Sequence, residues 1–586
     1  MTQNHENRGL LFRLFPFLSW LRGYGVATFR IDAVAGLTVA VVLIPQSMAY
    51  AMLAGLPPVY GLYAAAVTPM VAALWGSLRQ LATGPIAIMS LLVLTSLTPL
   101  AEPGSPRFIE LALLLSLLVG ILYLGIGLFR MGILMAFISH SAVKGFTSAA
   151  ALIITATQLP HFLGISMGHH ESVVLMAVEL VKHIPSIHPP TLAIGIVAFV
   201  IIYGLKKIKN TLPAGLIAMT VTTLAVVLLG LDDQGVAIVG ETASGLPAFH
   251  LPPVDPDYLS DLLGPAIVIA LVSFAETYSV GKAISGETKQ KLDVDQEFIG
   301  QGLANLVGAF FQSYPVSGSF SRSAINFAAG AKTGISSVIS SFGVIIALLF
   351  LTPLLTHIPK AALAALVISA VLMLFHPRAV FALWRMNRHD GIVAVTVFVL
   401  ALLTKPDYAL LIGVVVSLMF FLWKTMHPRI VRISRDPELE MFVNADTLGQ
   451  PSCPQILQLR SDNAIYFANA EYTIEHIIKR LDEQETPVQF LLLDFQAMGF
   501  IDVTGVDELR MLLEEIRGRG MALALMEVRQ PVVAVLESTG FLAQIQPGHL
   551  FQKRGDAISF LFQRIDHGYC RKTCPHRLFI ECGTVK

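Results

Sequence analysis

Apolar residues occur along the first 425 positions in long runs separated by short polar stretches. A helix needs about 17–25 predominantly apolar residues to cross a bilayer. Fourteen runs approach that length, although several are short or interrupted, near residues 32–54, 57–76, 81–100, 108–129, 132–159, 190–205, 212–230, 261–284, 294–311, 315–331, 335–354, 358–375, 389–404 and 407–424. This pattern predicts an α-helical membrane protein with fourteen transmembrane segments over residues 31–425.

Basic residues are distributed unevenly among the loops between these runs. If the N-terminal segment 1–30 is cytoplasmic, every second loop returns there, and those loops carry Arg79, Arg130, Lys206, Lys207, Lys209, Lys282, Lys289, Lys291, Lys332, Arg378, Arg385 and Arg388. The long opposite loop, 231–260, has no Lys or Arg, whereas Lys182, Lys360 and Lys405 are exceptions. Cytoplasmic loops of membrane proteins are enriched in these residues. The distribution predicts a multi-pass protein of the cell membrane with both termini in the cytoplasm.

The sequence changes character after residue 425. Segments typical of strands (454–461, 464–469, 488–496 and 521–527) alternate with amphipathic helical segments (503–520 and 532–541). Such alternation predicts an α/β domain, here over residues 437–565. Residues 566–586 form a tail with three cysteines spaced C-x3-C-x7-C, which is not a standard zinc pattern. We interpret this segment as a mobile cytosolic tail, with metal binding or redox sensing as the alternative.

Two predicted spans, the third and the tenth, are interrupted by proline and glycine. The third contains "TGPIAIMSLLV" from residue 83, and the tenth contains "SYPVSGSFSRSAIN" from residue 313. Both are expected to begin extended and to become helical halfway across, since irregular backbone at this depth is tolerated only where it lines a cavity or is buried in protein. Interrupted segments at corresponding places in two halves indicate a transporter site.

The two breaks are seven spans apart, and seven is an odd number. The two halves therefore have opposite orientations, which makes an inverted repeat. An ungapped alignment of span one with span eight places Gln46 on Glu276 and Ser47 on Thr277.

Two half-helix N-termini that meet in mid-membrane favour an anion, because each carries partial positive charge and free N–H donors. Arg322 adds a full positive charge in the first turn of the second half-helix, and the serines 317, 319, 321 and 323 are neutral donors. The alternative is a structural arginine that only satisfies backbone carbonyls. A basic residue inside a membrane favours the functional interpretation.

Four stretches carry a family resemblance: "IPQSMAYAMLAGLPPVYGLYAA", "LATGPIAIMSLLV", "NLVGAFFQSYPVSGSFSRSAIN" and "LLLDFQAMGFIDVTGVDEL". Together they resemble the SulP family of sulfate-permease-type anion transporters with a C-terminal STAS domain. The resemblance implies two inverted seven-span repeats, with a core domain (spans 1–4 and 8–11) and a gate domain (spans 5–7 and 12–14). It also implies a nucleobase-transporter-like fold and a homodimer in which the core slides past the gate.

The resemblance also implies roles for individual residues. Gln46 and Tyr50 of span one would face the substrate, and Ile86 would form an apolar wall at the first half-helix. Backbone N–H groups of Ile86, Ala87 and Ser321 would be donors, with Ser319 and Arg322 beside them.

Glu276 lies in an otherwise apolar span, with Thr277 next to it. Such a carboxylate can bind a proton or a cation during transport. An ionised carboxylate repels an anion, and its protonation would remove that penalty, which gives a reason for H⁺–anion symport. The alternatives are Na⁺ coupling and a structural carboxylate paired with Arg322.

Thr504 occupies the position in the predicted STAS domain where stand-alone relatives are phosphorylated. We favour the simpler interpretation that Thr504 is a helix N-cap, with Glu508 nearby.

Composition narrows the function. The chain is 54% hydrophobic and 14% charged, with a formal net charge of zero. This balance gives no basic face for nucleic acid, and the sequence has no catalytic triad, phosphate-binding glycine loop or metal-ligand cluster in its membrane part. We therefore predict neither an enzyme nor a bound cofactor or metal. The predicted function is secondary active transport of sulfate, bicarbonate or a dicarboxylate, coupled to H⁺ or Na⁺. A passive channel, an anion exchanger and a STAS-based sensor with a cytosolic protein partner are the alternatives.

Overall fold

The computed structural model describes residues 15–584 except residues 22, 133–138, 168–172, 209–212, 241–244, 254–255, 376, 405, 437 and 487. The chain forms two compact units, Met1–Ser417 and Leu418–Lys586. The first is almost entirely helical, and the second contains a six-stranded sheet.

The helices of the first half of the chain are α1 (Leu18–Leu21), α2 (Val26–Leu53), α3 (Pro58–Trp75), α4 (Ala87–Leu97), α5 (Pro106–Leu128), α6 (His140–Leu163), α7 (Val173–Lys182), α8 (Pro189–Ile208) and α9 (Ala214–Leu229). They are followed by α10 (Pro256–Thr288), α11 (Val294–Phe310), α12 (Phe320–Ala328), α13 (Ile335–Ile346), α14 (Thr352–Leu355), α15 (Lys360–Val371), α16 (Pro377–Met386), α17 (Arg388–Leu403) and α18 (Pro406–Met426). Two short strands, β1 (Thr83–Gly84) and β2 (Ser317–Gly318), precede α4 and α12.

Each of the fourteen predicted spans overlaps a helix, or a strand followed by a helix. Within the described ranges, eight helices are long and apolar enough to cross a membrane, and three shorter ones are also apolar. The prediction of a helical membrane protein is confirmed, and the count of fourteen stays a prediction. The fifth predicted span, 132–159, differs from its helix, because α6 begins at His140 after the N-cap Ser139; residues 133–138 lie outside the described part of the chain.

The helices pack in two groups. Helices α2, α3, α5, α10, α11 and α13 pack mainly with one another, and helices α6, α8, α9, α15 and α17 form the second group. Close packing depends on small residues, since a Cβ on Gly61 of α3 would collide with the carbonyl oxygen of Ser47 in α2. Small residues at helix contacts are typical of membrane bundles.

The sheet of the second unit has the strand order β4-β3-β5-β6-β7-β8. Its strands are β3 (Ile430–Asp436), β4 (Met441–Asn444), β5 (Ile456–Ser461), β6 (Phe490–Asp494), β7 (Ala522–Met526) and β8 (Leu550–Phe551). Strands β5 to β8 are parallel, and β3 pairs antiparallel with β4 and β5. The sheet begins at Ile430, earlier than the predicted domain start at residue 437, because β3 pairs with the side of β5 that β6 leaves open.

Helices cover both faces of this sheet. They are α19 (Ala445–Leu448), α20 (Ala470–Asp482), α21 (Val503–Gly518), α22 (Gln530–Ser538), α23 (Arg554–Phe562) and α24 (His567–Lys572). Leu491 and Leu493 of β6 pack into one apolar cluster, while Phe490 and Leu492 pack into the other. Alternate side chains of a strand point to opposite faces, so one strand contributes to both cores and the predicted α/β architecture is confirmed.

One predicted strand does not form, although the structure describes all of its residues. The segment 464–469 contributes only a single bridge, between Ile465 and Ile501, and then turns. The side chain of Asn469 holds this turn, since its amide accepts from Tyr466 N at 3.0 Å and donates to Ala464 O at 3.0 Å. These bonds satisfy backbone groups that a strand would have paired with a neighbour.

The predicted N-cap of α21 is also wrong. Asp502 is the N-cap, and its carboxylate accepts hydrogen bonds from Gly505 N at 2.8 Å and from Phe467 N at 2.8 Å. Thr504 lies in the first turn with an exposed side chain. A negatively charged carboxylate at the N-cap interacts favourably with the positive end of the helix dipole. This explains why Asp502, and not Thr504 two residues later, caps the helix.

Asp502→Ala is expected to destabilise the start of α21 by about 1–2 kcal/mol, because two N–H groups lose their acceptor. Hydrogen exchange of the full chain should show amides of residues 503–506 exchanging about 5–30 times faster. Thr504→Ala is the matched control and should leave these rates unchanged. Equal acceleration in both variants would contradict the assignment of the cap.

Candidate functional site

The two interrupted segments meet inside the helical unit. β1 pairs antiparallel with β2, with Thr83 opposite Gly318 and Gly84 opposite Ser317. Ser319 N donates to Ala82 O at 2.8 Å and extends the pairing. All these residues are buried. The prediction that both segments begin extended, become helical and lie side by side is confirmed.

Polar side chains of neighbouring helices satisfy the backbone of the breaks. Asn305 in α11 accepts from Val316 N at 2.9 Å and donates to Val316 O at 3.2 Å. One turn earlier, Gln301 donates to Thr83 Oγ1 at 2.8 Å. Sequence reasoning missed both residues. Two polar residues one helical turn apart in an otherwise apolar run are the signal that could have identified them.

Thr277, predicted beside the coupling site, serves the same purpose. Its hydroxyl accepts from Gly318 N at 3.1 Å and lies 3.0 Å from Ser317 Oγ, which in turn donates to Ser273 O at 2.9 Å. These contacts use both the donor and an acceptor position of the hydroxyl. The structure therefore places Thr277 as a support for β2.

Each strand leads directly into a helix N-terminus. Helix α4 begins at Ala87, and its N-cap Ile86 provides no side-chain hydrogen bond. Helix α12 begins at Phe320, and its N-cap Ser319 accepts from Arg322 N at 3.4 Å. The first N–H groups of a helix have no partner within that helix. The two helix starts therefore direct partial positive charge toward the paired strands.

Arg322 lies fully buried, with 0% of its side chain exposed. Its Nη1 donates to Pro85 O at 2.7 Å, which places the guanidinium at the break of the opposite segment. Among the described residues, Nε and Nη2 have no hydrogen-bond partner. The structural interpretation thus accounts for one nitrogen only, and two donors are available to a bound anion.

Of the other predicted substrate-binding residues, Tyr50 lies near this guanidinium, and Ile86, Ala87 and Ser319 lie at the adjoining helix starts. Gln46, Tyr50, Ile86, Ala87 and Ser319 are all buried. Arg322 lies close enough to Tyr50 and Tyr314 for its charge to interact with their side chains. The hydroxyl of Tyr314 lies 3.2 Å from Ser90 Oγ. The sequence motifs did not identify Tyr314, although it stands directly before Pro315 in the interrupted segment. The Ser321 side chain is exposed, with its hydroxyl 3.4 Å from Ser319 Oγ.

Glu276 faces the same region. Glu276 and Arg322 lie close enough for their charges to interact, yet no direct hydrogen bond joins the two side chains within the described residues. Its buried Oε2 has no partner there, nor has the buried Oε1 of Gln46. An unpartnered buried oxygen is costly. Proton or cation binding would relieve that cost.

Two other buried carboxylates in the helical unit are satisfied. Asp32 accepts from Lys332 N at 2.7 Å and from Thr333 Oγ1 at 2.6 Å. Glu297 accepts from Ser77 N at 2.6 Å and Leu78 N at 2.8 Å. Both connect segments far apart in sequence. Both carboxylates accept hydrogen bonds from distant segments, whereas Glu276 Oε2 has no partner among the described residues.

Two half-helices that start at a paired break beside a buried arginine define the class of protein: a helical membrane transporter. The family model described as "Sulfate permease family" matches residues 29–397, and the STAS domain model matches residues 445–557. The chain belongs to the sulfate permease family and carries a C-terminal STAS domain, as the sequence motifs predicted.

Curated relatives match over nearly the whole chain. "Sulfate transporter 4.1, chloroplastic" from Arabidopsis thaliana is 34% identical over 573 residues, which cover 94% of this chain and 83% of that protein. "High affinity sulfate transporter 1" from Stylosanthes hamata is 31% identical over 575 residues, covering 93% and 86%. These relatives are transporters and not enzymes.

Solved structures share the fold. The murine Slc26a9 anion transporter in the inward-facing state superposes with a TM-score of 0.86 at 23% identity and covers 96% of both chains. The transmembrane domain of a cyanobacterium bicarbonate transporter, BicA, gives a TM-score of 0.58 at 21% identity and covers 67% of this chain and 98% of that one.

Proposed function

We propose that this protein is a secondary active transporter that moves a small oxyanion across the cell membrane, with sulfate as the first candidate substrate. One observation carries the proposal: Arg322 is fully buried and two of its nitrogens have no partner among the described residues. A fixed cation with free donors between two helix N-termini matches an oxyanion in charge and in hydrogen bonding. The names of the relatives favour sulfate, whereas bicarbonate and dicarboxylates share the same chemistry.

Glu276 is proposed as the coupling site, with H⁺ as the coupling ion and Na⁺ as the alternative. A protonated Glu276 would let the anion bind beside Arg322 without carboxylate repulsion. An ionised Glu276 would favour release. Its unpartnered Oε2 supports this assignment, since the oxygen has capacity for a proton. Gln46 would orient the bound anion through the N–H donors of its side-chain amide.

The movement is proposed to be an elevator-like displacement of the core relative to the gate. The two packing groups of helices support it, because the group that includes α10 and α11 contacts both breaks and corresponds to the predicted core spans. The second group corresponds to the predicted gate spans. Assembly as a homodimer, cytoplasmic termini and a cytosolic STAS partner regulated at the exposed Thr504 are parts of the same proposal.

The test is uptake into proteoliposomes that contain the purified full-length protein. Radiolabelled sulfate, bicarbonate and succinate should be compared at two external pH values, with and without sodium. Accumulation of sulfate against its gradient, greater at the lower external pH, is expected. Flux that only equilibrates the anion would indicate a passive channel. Dependence on sodium at constant pH would replace H⁺ by Na⁺.

Glu276→Gln should remove the pH dependence of uptake, because glutamine is neutral at every pH tested. Uptake at the higher pH should approach the wild-type rate at the lower pH, without accumulation against the gradient. Asp261→Asn is the matched control, since Asp261 lies on the same helix with an exposed side chain. A pH profile of Glu276→Gln that follows the wild type would exclude this residue as the proton site.

A further inference from the structure

All four cysteines of the chain line one small cavity in the C-terminal unit. Cys453 precedes β5, and Cys570, Cys574 and Cys582 come from the last residues of the chain. The cavity has a volume of about 20 Å³, and His576 and Phe579 also line it. Since a single water molecule needs about 10–15 Å³ in this measure, the space suits one small ion.

The C-terminal segment that brings these thiols together is packed against the sheet. The side chain of Gln455 donates to Asp566 O at 3.0 Å and accepts from Asp566 N at 2.9 Å. Leu578 and Phe579 are buried. The interpretation of residues 566–586 as a mobile tail is therefore wrong for the described part, up to residue 584. It failed because the anchor, Gln455, lies more than a hundred residues away in sequence.

One of the sulfur atoms has a polar neighbour of the kind that surrounds thiolate sites. Gln455 Nε2 donates to Cys570 Sγ at 3.2 Å. N–H donors directed at sulfur stabilise its negative charge and orient it toward a metal. Cys570 thus has such a donor beside it.

We propose that Cys453, Cys570, Cys574 and Cys582 bind one zinc ion through four thiolates. Thiolates are soft ligands that select zinc and iron, and four of them complete the tetrahedral shell of a structural zinc site. The spacing within the tail argued against zinc because it shows only three ligands, and Cys453 supplies the fourth from another part of the chain. The ion would link the C-terminal segment to the entry of β5.

Binding requires small side-chain movements. Within the described residues, no three Cys, His, Asp or Glu side chains already stand at metal-binding separations. Cys574 Sγ instead donates to His576 O at 3.1 Å. Rotation by one staggered rotamer moves a cysteine sulfur by about 3 Å. Such rotations are proposed to bring the four sulfur atoms around the ion.

The experiment measures metal in the full-length protein, purified in detergent under reducing conditions and dialysed against metal-free buffer. Elemental analysis should give about one zinc per chain. Cys453→Ser and Cys574→Ser should each lower the zinc content at least tenfold. His567→Ala is the matched control, because His567 lies in the same segment without lining the cavity, and it should retain full zinc.

A second measurement does not depend on how the serine variants fold. Wild-type protein stripped with a chelator should react with iodoacetamide at all four cysteines, and addition of one equivalent of zinc should protect all four. The proposal would be overturned if purified wild-type protein contained no metal and if iodoacetamide labelled its cysteines equally with and without added zinc. So would iron with visible absorbance, or a mass decrease that shows the thiols to be joined as disulfides.

Discussion

Arg322→Gln is expected to lower sulfate uptake into proteoliposomes about tenfold to hundredfold. The substitution removes the buried charge and the two donors, Nε and Nη2, that have no protein partner in the described residues. A hydrogen bond to a charged group contributes about 1.5–3 kcal/mol, and a loss of about 1.4 kcal/mol corresponds to a factor of ten in binding. Uptake over a range of sulfate concentrations should show the loss mainly as weaker binding.

Two further variants separate charge from geometry. Arg322→Lys keeps the charge but loses the planar arrangement of donors, so it should retain an intermediate rate. Arg385→Gln removes an exposed arginine from α16 and should transport like the wild type. The amount of folded protein should be compared by size-exclusion chromatography. If Arg322→Gln is folded and transports sulfate at the wild-type rate, the proposed anion site is wrong.

Gly84→Val is expected to impair transport to a similar degree, through the backbone and the space beside the guanidinium. Gly84 has φ +148°, and a Cβ there would lie 3.2 Å from Arg322 Nη2. Backbone conformations of this kind cost a non-glycine residue about 1–3 kcal/mol. The valine side chain would also occupy space beside one of the two free donors. We therefore expect the KM for sulfate to rise at least tenfold.

Gly245→Val is the control for backbone strain. Gly245 also has a positive φ, +122°, but nothing lies within 4 Å of a Cβ built there. It should leave the KM near the wild-type value. Equal loss of transport in both variants would show that strain alone, and not the close approach to Arg322, explains the Gly84 result.

The interrupted segments were the most predictable part of the site. Proline and glycine at residues 84, 85, 315 and 318 break two apolar runs, and the physical cost of unpaired backbone in a membrane requires such breaks to be enclosed. A buried arginine one turn into the second helix could be identified for the same reason. The residues that hold the breaks were harder to predict, because Gln301 and Asn305 belong to a different helix and resemble ordinary polar positions.

The soluble unit shows the same division. Strands β5, β6 and β7 were predicted because buried parallel strands form continuous apolar runs. Strand β3 was missed, since only three residues separate it from the last helix and it pairs antiparallel with β4 and β5 rather than within the alternation of parallel strands and helices. The helix cap was misplaced by two residues because Thr504 and Asp502 are both good capping residues, and only the direction of their side chains distinguishes them.

By itself the sequence determined that this chain is a helical membrane protein of the sulfate permease family with a C-terminal STAS domain, since hydropathy, charge placement and local motifs are properties of neighbouring residues. Only the tertiary structure decided which distant groups meet: β1 with β2, Arg322 with Pro85, and Cys453 with the thiols of the C-terminal segment. Contacts between residues more than a hundred positions apart depend on how whole helices and sheets pack. No local pattern encodes that packing.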